Sequence, residues 1–437
     1  MPGTMRWQHL GWRLLPRLQH LGWRLLPRLP VILAVLLVGV AGSQVREPLP
    51  GDPLPGIKAE EFERFRLGLE DFTEVEGVDE GLGPAFNGTS CAGCHNIPAI
   101  GGSGIITEVR AGYRDESGPI QADPPEAGRD CNIQAGAFCR DCGQFQELQG
   151  GTLFHLFSIP NHRCQAQIPP EANVIARRIS IPLFGAGLVE AIPDETLLAL
   201  EDPDDRDNDG VRGRAARIID VATGQRRVGR FGWKAQQATL LAFSADAYRN
   251  EMGITNDLFP DEVVLGVDPQ QVKRCDPTAD PEDVRDRRTG LRAIDKFEAF
   301  LRFLAPLERG PLNDSARRGE ALFTALRCSA CHLPELTTAA SRNPVFDRRP
   351  VRLYSDLLLH DIGTGDGIAQ ADAGPEEIRT PALWGLRYRR PFLHDGSAAT
   401  LDAAIRRHDR EAAQIRERYA NRSPEEQAAV LAFLKSL

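Results

Sequence analysis

A chain of 437 residues, 42% hydrophobic and 26% charged, has the composition of an ordinary soluble globular protein with room for two or three domains. Its formal charge is −9, and residues 1–43 hold five arginines and no acid, so removing them leaves −14 on the remainder. A surface that acidic argues against nucleic acid and suits a basic protein partner or a small neutral substrate.

Arginines at 6, 13, 17, 24 and 28 precede an apolar run from Val31 to Ala41, followed by small residues. That order predicts an export signal over 1–43, and the run is short for a bilayer span, so any membrane contact would be through an uncleaved leader. The tandem copy QHLGWRLLPRL at 8–18 and 19–29 occurs twice and stops, which is a duplication in the leader and not a solenoid. Residues 44–57 are Pro-rich and read as a linker. Helical patterning starts at Ala59 and leads into a loop, GLGPAFNGTS, that delivers Cys91-Ala92-Gly93-Cys94-His95.

Cys-x-x-Cys-His is the attachment signature of haem c, and it occurs again at Cys328-Ser329-Ala330-Cys331-His332. One turn of chain sets both sulfurs along one porphyrin edge and swings the histidine beneath the iron as an axial ligand. Two matches imply two covalently bound haems, with His95 and His332 on the irons. Haem c is attached outside the cytoplasm, which fits the leader and predicts a periplasmic protein.

From about 110 to 175 the chain is rich in Gly, Pro and Cys and reads as an irregular insertion, with strand character at 150–159 and 174–184. Cys131, Cys139, Cys142 and Cys164 suggest two disulfides with three connectivities, which leaves Cys275 odd; Cys139 and Cys142 could instead be a reactive dithiol. A helix is predicted from Asp194. Asp205-x-Asp207-x-Asp209-Gly210 offers oxygen ligands at alternate positions, as a calcium loop does, although Ala216 stands where an EF-hand has its glutamate. Helices are predicted over 233–256, 289–309, 315–326, 400–419 and 424–436, the last with Ser423 as N-cap and Pro424 at its first position.

Taken in order, GLGPAFNGTSCAGCH, RRISIPLFGAGLVEAIPDE, GRFGWKAQQATL, NEMGITN, YSDLLLHDIG and RTPALWGLRYRRPFLHDGSAATLDAAIRRH resemble the di-haem oxidoreductases, sometimes labelled thiol oxidoreductases. That family is related to the bacterial di-haem cytochrome c peroxidases and to the di-haem enzyme of methylamine utilisation. The resemblance covers nearly all of 75–437. It implies that His408, fourteen residues after the first position of His394-Asp395-Gly396, is the second axial ligand opposite His332. It implies that Glu251, in Glu251-Met252-Gly253, lies over the open face of the first haem as an acid–base group, and that Trp233 bridges the two haems. The glutamine that accompanies this acid in many peroxidases has no clear counterpart, since Leu241 falls near its place. His360 and His394 are expected near the second haem without being ligands.

The expected fold is mainly α, with two cytochrome c-like haem domains and an irregular/β insertion. The first haem domain begins at 58–120; 121–260 is the insertion, with its disulfides and calcium loop, and returns to the first haem pocket. A connecting helical region follows at 261–309, and 310–437 is the second haem domain. The expected function is an exported, peroxidase-like di-haem oxidoreductase, with a small-molecule oxidant as substrate and a small redox protein or quinol as electron partner. The alternatives are an electron-transfer cytochrome without a substrate site and, third, a thiol oxidase using Cys139 and Cys142.

Overall fold

Each Cys-x-x-Cys-His segment is framed by a crossing pair of helices. In the computed structural model, which describes residues 47–115, 145–160, 162–276 and 284–437, α1 (Ala59–Thr73) buries Phe65, Gly68 and Phe72. That is one stripe at helical spacing, and it packs on α7 (Ala293–Phe303), which buries Ile294, Phe297, Phe300 and Leu301. The short turn α2 (Cys91–Cys94) packs against α1. The second pair is α8 (Asp314–Ala325) and α11 (Pro424–Leu434), and Cys328 follows directly on α8. Asn313 caps α8 by accepting from the Ala316 N–H at 2.8 Å, and Ser423 caps α11 with Pro424 at its first position, as expected.

Both crossings close on a glycine. A Cβ on Gly68 would collide with the Lys296 carbonyl of α7, and one on Gly319 with the Ala429 carbonyl of α11. Helix backbones approach this closely only where one of them lacks a side chain.

A small antiparallel sheet fills the stretch between α2 and α3 (Ala186–Glu190). Its central strand β2 (Thr107–Arg114) pairs along one edge with β6 (Val174–Ile179), Glu108 opposite Arg178, and along the other with β3 (Phe145–Gln146) and β4 (Leu153–Phe154). β1 (Ala85–Phe86) and β5 (Phe157–Ser158) form a separate pair. The chain continues through α4 (Asp194–Leu200) and the hairpin β7 (Arg217–Ile219) and β8 (Arg226–Val228) to α5 (Leu240–Met252) and α6 (Pro269–Cys275). Helices outweigh strands in the described residues, and none of them is long and apolar enough to cross a membrane.

Three expectations change. Cys164 does not pair within the cysteine-rich segment but bonds Cys275, the supposed odd cysteine, with a Cα–Cα separation of 6.2 Å. The two are 111 residues apart, and only the fold brings α6 back to the segment that carries Cys164. Cys131, Cys139 and Cys142, like the leader, lie outside the described residues. The helix expected over 233–256 starts only at Leu240, because Phe231 and Gln237 close a tight loop and Thr239 then caps the helix. The helix expected over 400–419 divides into α9 (Leu401–Arg406) and α10 (Ala413–Ala420), with Asp409 extended between them. The Asp409 N–H bonds the Ile362 carbonyl there instead of continuing the helix, and His408 sits at the break.

Replacing Gly319 with Ala should destabilise the protein by about 1–3 kcal/mol, the usual cost of overpacking, because the obstacle is backbone and cannot rotate away. Thermal unfolding followed by circular dichroism would show this as a lower midpoint than wild type.

Candidate functional site

Three half-buried histidines share one hydrogen-bonding pattern. Nδ1 of His95 lies 2.8 Å from the Gly102 carbonyl, Nδ1 of His332 lies 3.2 Å from the Tyr354 carbonyl, and Nδ1 of His408 lies 2.8 Å from the Ala404 carbonyl. A carbonyl oxygen only accepts, so Nδ1 carries the proton in each ring. The neutral ring then presents Nε2 as a lone pair, the state in which imidazole binds a metal. Burial, the largest influence on all three, lowers their pKa values, His332 to about 4, and keeps the rings neutral.

His332 and His408 line one cavity with Cys328 and Cys331, and about 1260 Å³ there is free of protein atoms, part of it open to solvent. The two ring centres stand 6.4 Å apart. A metal held by both through bonds of about 2 Å would separate them by about 6 Å, so the residues present fit an iron between them. The rest of the lining is largely apolar, including Phe323, Leu383, Leu401, Ile405 and Val430. Burial is also the first cause of the raised pKa values of the four motif thiols, which keeps them un-ionised.

The first cavity, of about 1350 Å³ by the same measure, is built differently. Cys91, Cys94 and His95 line it, and His95 is its sole histidine among the described residues. Glu251, near the end of α5, lines it too and accepts from Asn87 Nδ2 at 2.9 Å. Burial raises the Glu251 pKa, and the charge of the neighbouring Glu108 raises it further; Glu108 itself is pulled down by Arg110 and Arg178 against its own burial. Two carboxyl groups this close resist ionising together, and Glu251 is the one whose pKa is raised. Glu108 and Arg110 stand two residues apart on β2, with Arg178 opposite on β6, so the strand period presents all three on the side that lines the cavity. The sequence reading missed these three; their only local trace is the alternation in TEVRAG. Leu241 packs on the main core, whereas Gln236 supplies an amide to this lining.

Trp233 is common to the linings of both cavities. Its Nε1 donates to the Ile179 carbonyl at 2.8 Å, its ring meets His394 edge-on at 6.1 Å, and the Arg389 guanidinium lies 5.2 Å from its centre. The flanking residues are held as firmly. Arg379 donates from its backbone to the Trp233 carbonyl at 2.8 Å and from Nε to the Gly232 carbonyl at 2.8 Å. Lys234 Nζ donates to the carbonyls of Gly374, Pro375 and Glu377 and pairs with Asp366 at 3.1 Å, and Asp366 also binds Arg178 Nε at 2.7 Å.

His360 and His394 do not have the ligand pattern. His360 is held between Asp356 Oδ2 and Glu411 Oε2, each at 2.9 Å, and its pKa is raised: burial opposes this, but the Cys331 sulfur and Asp356 outweigh it. His155 bonds the Asn250 carbonyl through Nε2, at 2.9 Å, behind the first cavity. Oxygens of Asp205, Asp207 and Asp209 come within 4.8 Å of one another, although Asp209 also pairs with Arg327, next to the second motif.

Among curated proteins, the chain is 29% identical over 117 residues to the methylamine utilization protein MauG of Methylorubrum extorquens. The match covers 23% of this chain and spans only 28% of that relative's length. Among solved structures, the diheme peroxidase BthA of Burkholderia thailandensis aligns over 86% of both chains at 16% identity and a TM-score of 0.39. A MauG-like protein associated with microbial copper homeostasis aligns over 64% of this chain and 94% of its own, at 17% identity and a TM-score of 0.29. Hydrazine synthase of Kuenenia stuttgartiensis aligns over 94% of this chain and 100% of its own, at 13% identity and a TM-score of 0.39. The model of the family described as di-haem oxidoreductase, putative peroxidase, matches residues 162–437, more than half of the sequence, and the chain belongs to that family, whose cofactors are haems.

Proposed function

We propose that the protein is an exported, peroxidase-like di-haem c oxidoreductase in which the two haems have unequal tasks. The observation that carries this reading is the asymmetry of the cavities: one has two ligand-ready imidazoles 6.4 Å apart, the other a single imidazole and a carboxyl pair. The first haem would be held by Cys91, Cys94 and His95, and the second by Cys328, Cys331, His332 and His408, each in a cytochrome c-like domain. Haem iron, when bound, supplies the redox centre; held by both His332 and His408, the second iron would suit storing and passing electrons.

Reduction of hydrogen peroxide to two waters needs two electrons and two protons. In its base form Glu251 would take a proton from one peroxide oxygen and give it to the other as the O–O bond breaks. Trp233 is the side chain both cavities share and would carry electrons between them. The electrons would come from a small redox protein or quinol in the periplasm. Asp205, Asp207 and Asp209 would bind calcium beside the second motif, and a chelator should release one equivalent of it.

Pyridine haemochrome analysis should find two covalently bound haems per chain, and one when Cys91 and Cys94, or Cys328 and Cys331, are both changed to Ser. Electron paramagnetic resonance of the ferric protein should show a high-spin signal from the first haem and a low-spin signal from the second. Two low-spin signals in the ferric protein, with no high-spin signal on partial reduction, would instead support an electron-transfer cytochrome. Glu251→Gln should slow the bimolecular reaction with peroxide, followed by stopped flow, by about 10²–10⁴-fold. Because the folded-state pKa of Glu251 is raised, its base form is lost at low pH and gained on alkalisation. The wild-type rate should therefore climb as pH rises through that value, and the Gln variant should lose this climb.

A further inference from the structure

The second cavity holds a cluster of polar atoms that the reading above leaves without a purpose. Arg389 is 6% exposed, and its Nε and Nη2 have no hydrogen-bond partner among the described residues. The same holds for Thr364 Oγ1 and His394 Nδ1, on side chains 9% and 4% exposed. All three side chains line this cavity. Buried donors left unmade are rare in folded proteins, and a buried cation without an anion is rarer still.

The nearest protein charges do not supply the missing partner. Arg379 lies close enough to repel Arg389, and the acid facing this pair, Asp356, acts on Arg379 and is already bonded to His360. Arg379 satisfies its own Nε and Nη1 on the carbonyls of Gly232 and Thr380. His394 faces Asp366 and Asp395, but Asp366 is engaged by Arg178 and Lys234, and Asp395 by Ser397. Burial lowers the Arg389 pKa to about 10, so the guanidinium is still charged at neutral pH. It also meets the face of Trp233, which offers a quadrupole and no formal charge.

A haem brings two carboxylates on the edge opposite its thioether bonds. We propose that Arg389, with Thr364 and His394, is the carboxylate-binding end of the second cavity and holds the anionic side chains of the haem there. The carboxylate edge then lies on the Arg389–Trp233 side of the cavity, so the cation that anchors the haem is also the one stacked on the shared tryptophan. This rests on the haem reading of the cavity and adds a positioning role for three residues to which that reading gives none.

The test is a spectroelectrochemical titration of the purified holoprotein, with haem content measured on the same samples. Arg389→Gln removes a positive charge that favours the reduced, less positive haem, so the second haem's midpoint should shift to lower potential. Arg389→Lys should recover most of that shift. If the Gln variant fails to fold or to load, Thr364→Val, which removes one hydroxyl, should lower the midpoint by a smaller step. The wild-type midpoint should not respond to chloride or phosphate added at constant ionic strength. Two loaded haems with an unmoved midpoint in Arg389→Gln, or in Thr364→Val where that variant decides, would overturn the proposal. So would a wild-type midpoint that follows anion concentration, since the cluster would then be taking a free anion. A wild-type protein lacking the second haem would instead overturn the parent reading.

Discussion

The buried turn from Arg230 to Gln237 is the constraint on which the arrangement of both cavities depends. Arg230 ties its start to the carbonyls at the end of α3 and to Asp194 of α4. Arg379 binds two consecutive carbonyls in its middle, and Lys234 anchors its far side to three carbonyls near residue 375 and to Asp366. The segment is not helical, because its backbone groups are committed to the Phe231–Gln237 bridge and to Arg379. What it gains is a tryptophan fixed from several directions at the one place where both cavities meet. Rigid placement of this kind lowers the reorganisation needed whenever charge moves past a group, a general condition for a fixed site.

Around this turn the charges form a continuous buried chain: Glu251 touches Glu108, Glu108 faces Arg110 and Arg178, Arg178 binds Asp366, and Asp366 binds Lys234. Every charge in it has an opposite neighbour except at the Glu108–Glu251 end, where a proton takes the place of a cation. That end is the one facing the first cavity. The second cavity is apolar over most of its lining and keeps its charges at the Arg379 and Arg389 side. The two motifs are alike in sequence, and their surroundings are what make the cavities chemically different.

Much of this was legible locally. The helix pairs follow from apolar stripes at helical spacing, with Ser423 as a cap, and the motifs name their own cysteines and histidines. Glu108, Arg110 and Arg178 were not legible, because a Glu-x-Arg on a strand has meaning only when the opposite strand and the face are known. The Cys164–Cys275 bond was missed for the same reason: proximity along the chain favoured other partners, and only folding brings these two sulfurs together. The helix expected through His408 breaks there because the Asp409 N–H finds a partner on the loop at Ile362.

The sequence by itself determined which atoms can hold a haem and an iron, because attachment chemistry is carried within five consecutive residues. It also determined the family, through motifs that recur in a set order. The motif order already implied His408 opposite His332 and Trp233 between the two sites; tertiary structure alone decided that Glu108 and Arg178 stand beside Glu251 and that Cys164 bonds Cys275. Each of these is a relation between groups far apart along the chain. Such relations depend on burial and on competing hydrogen bonds, neither of which has a local signature.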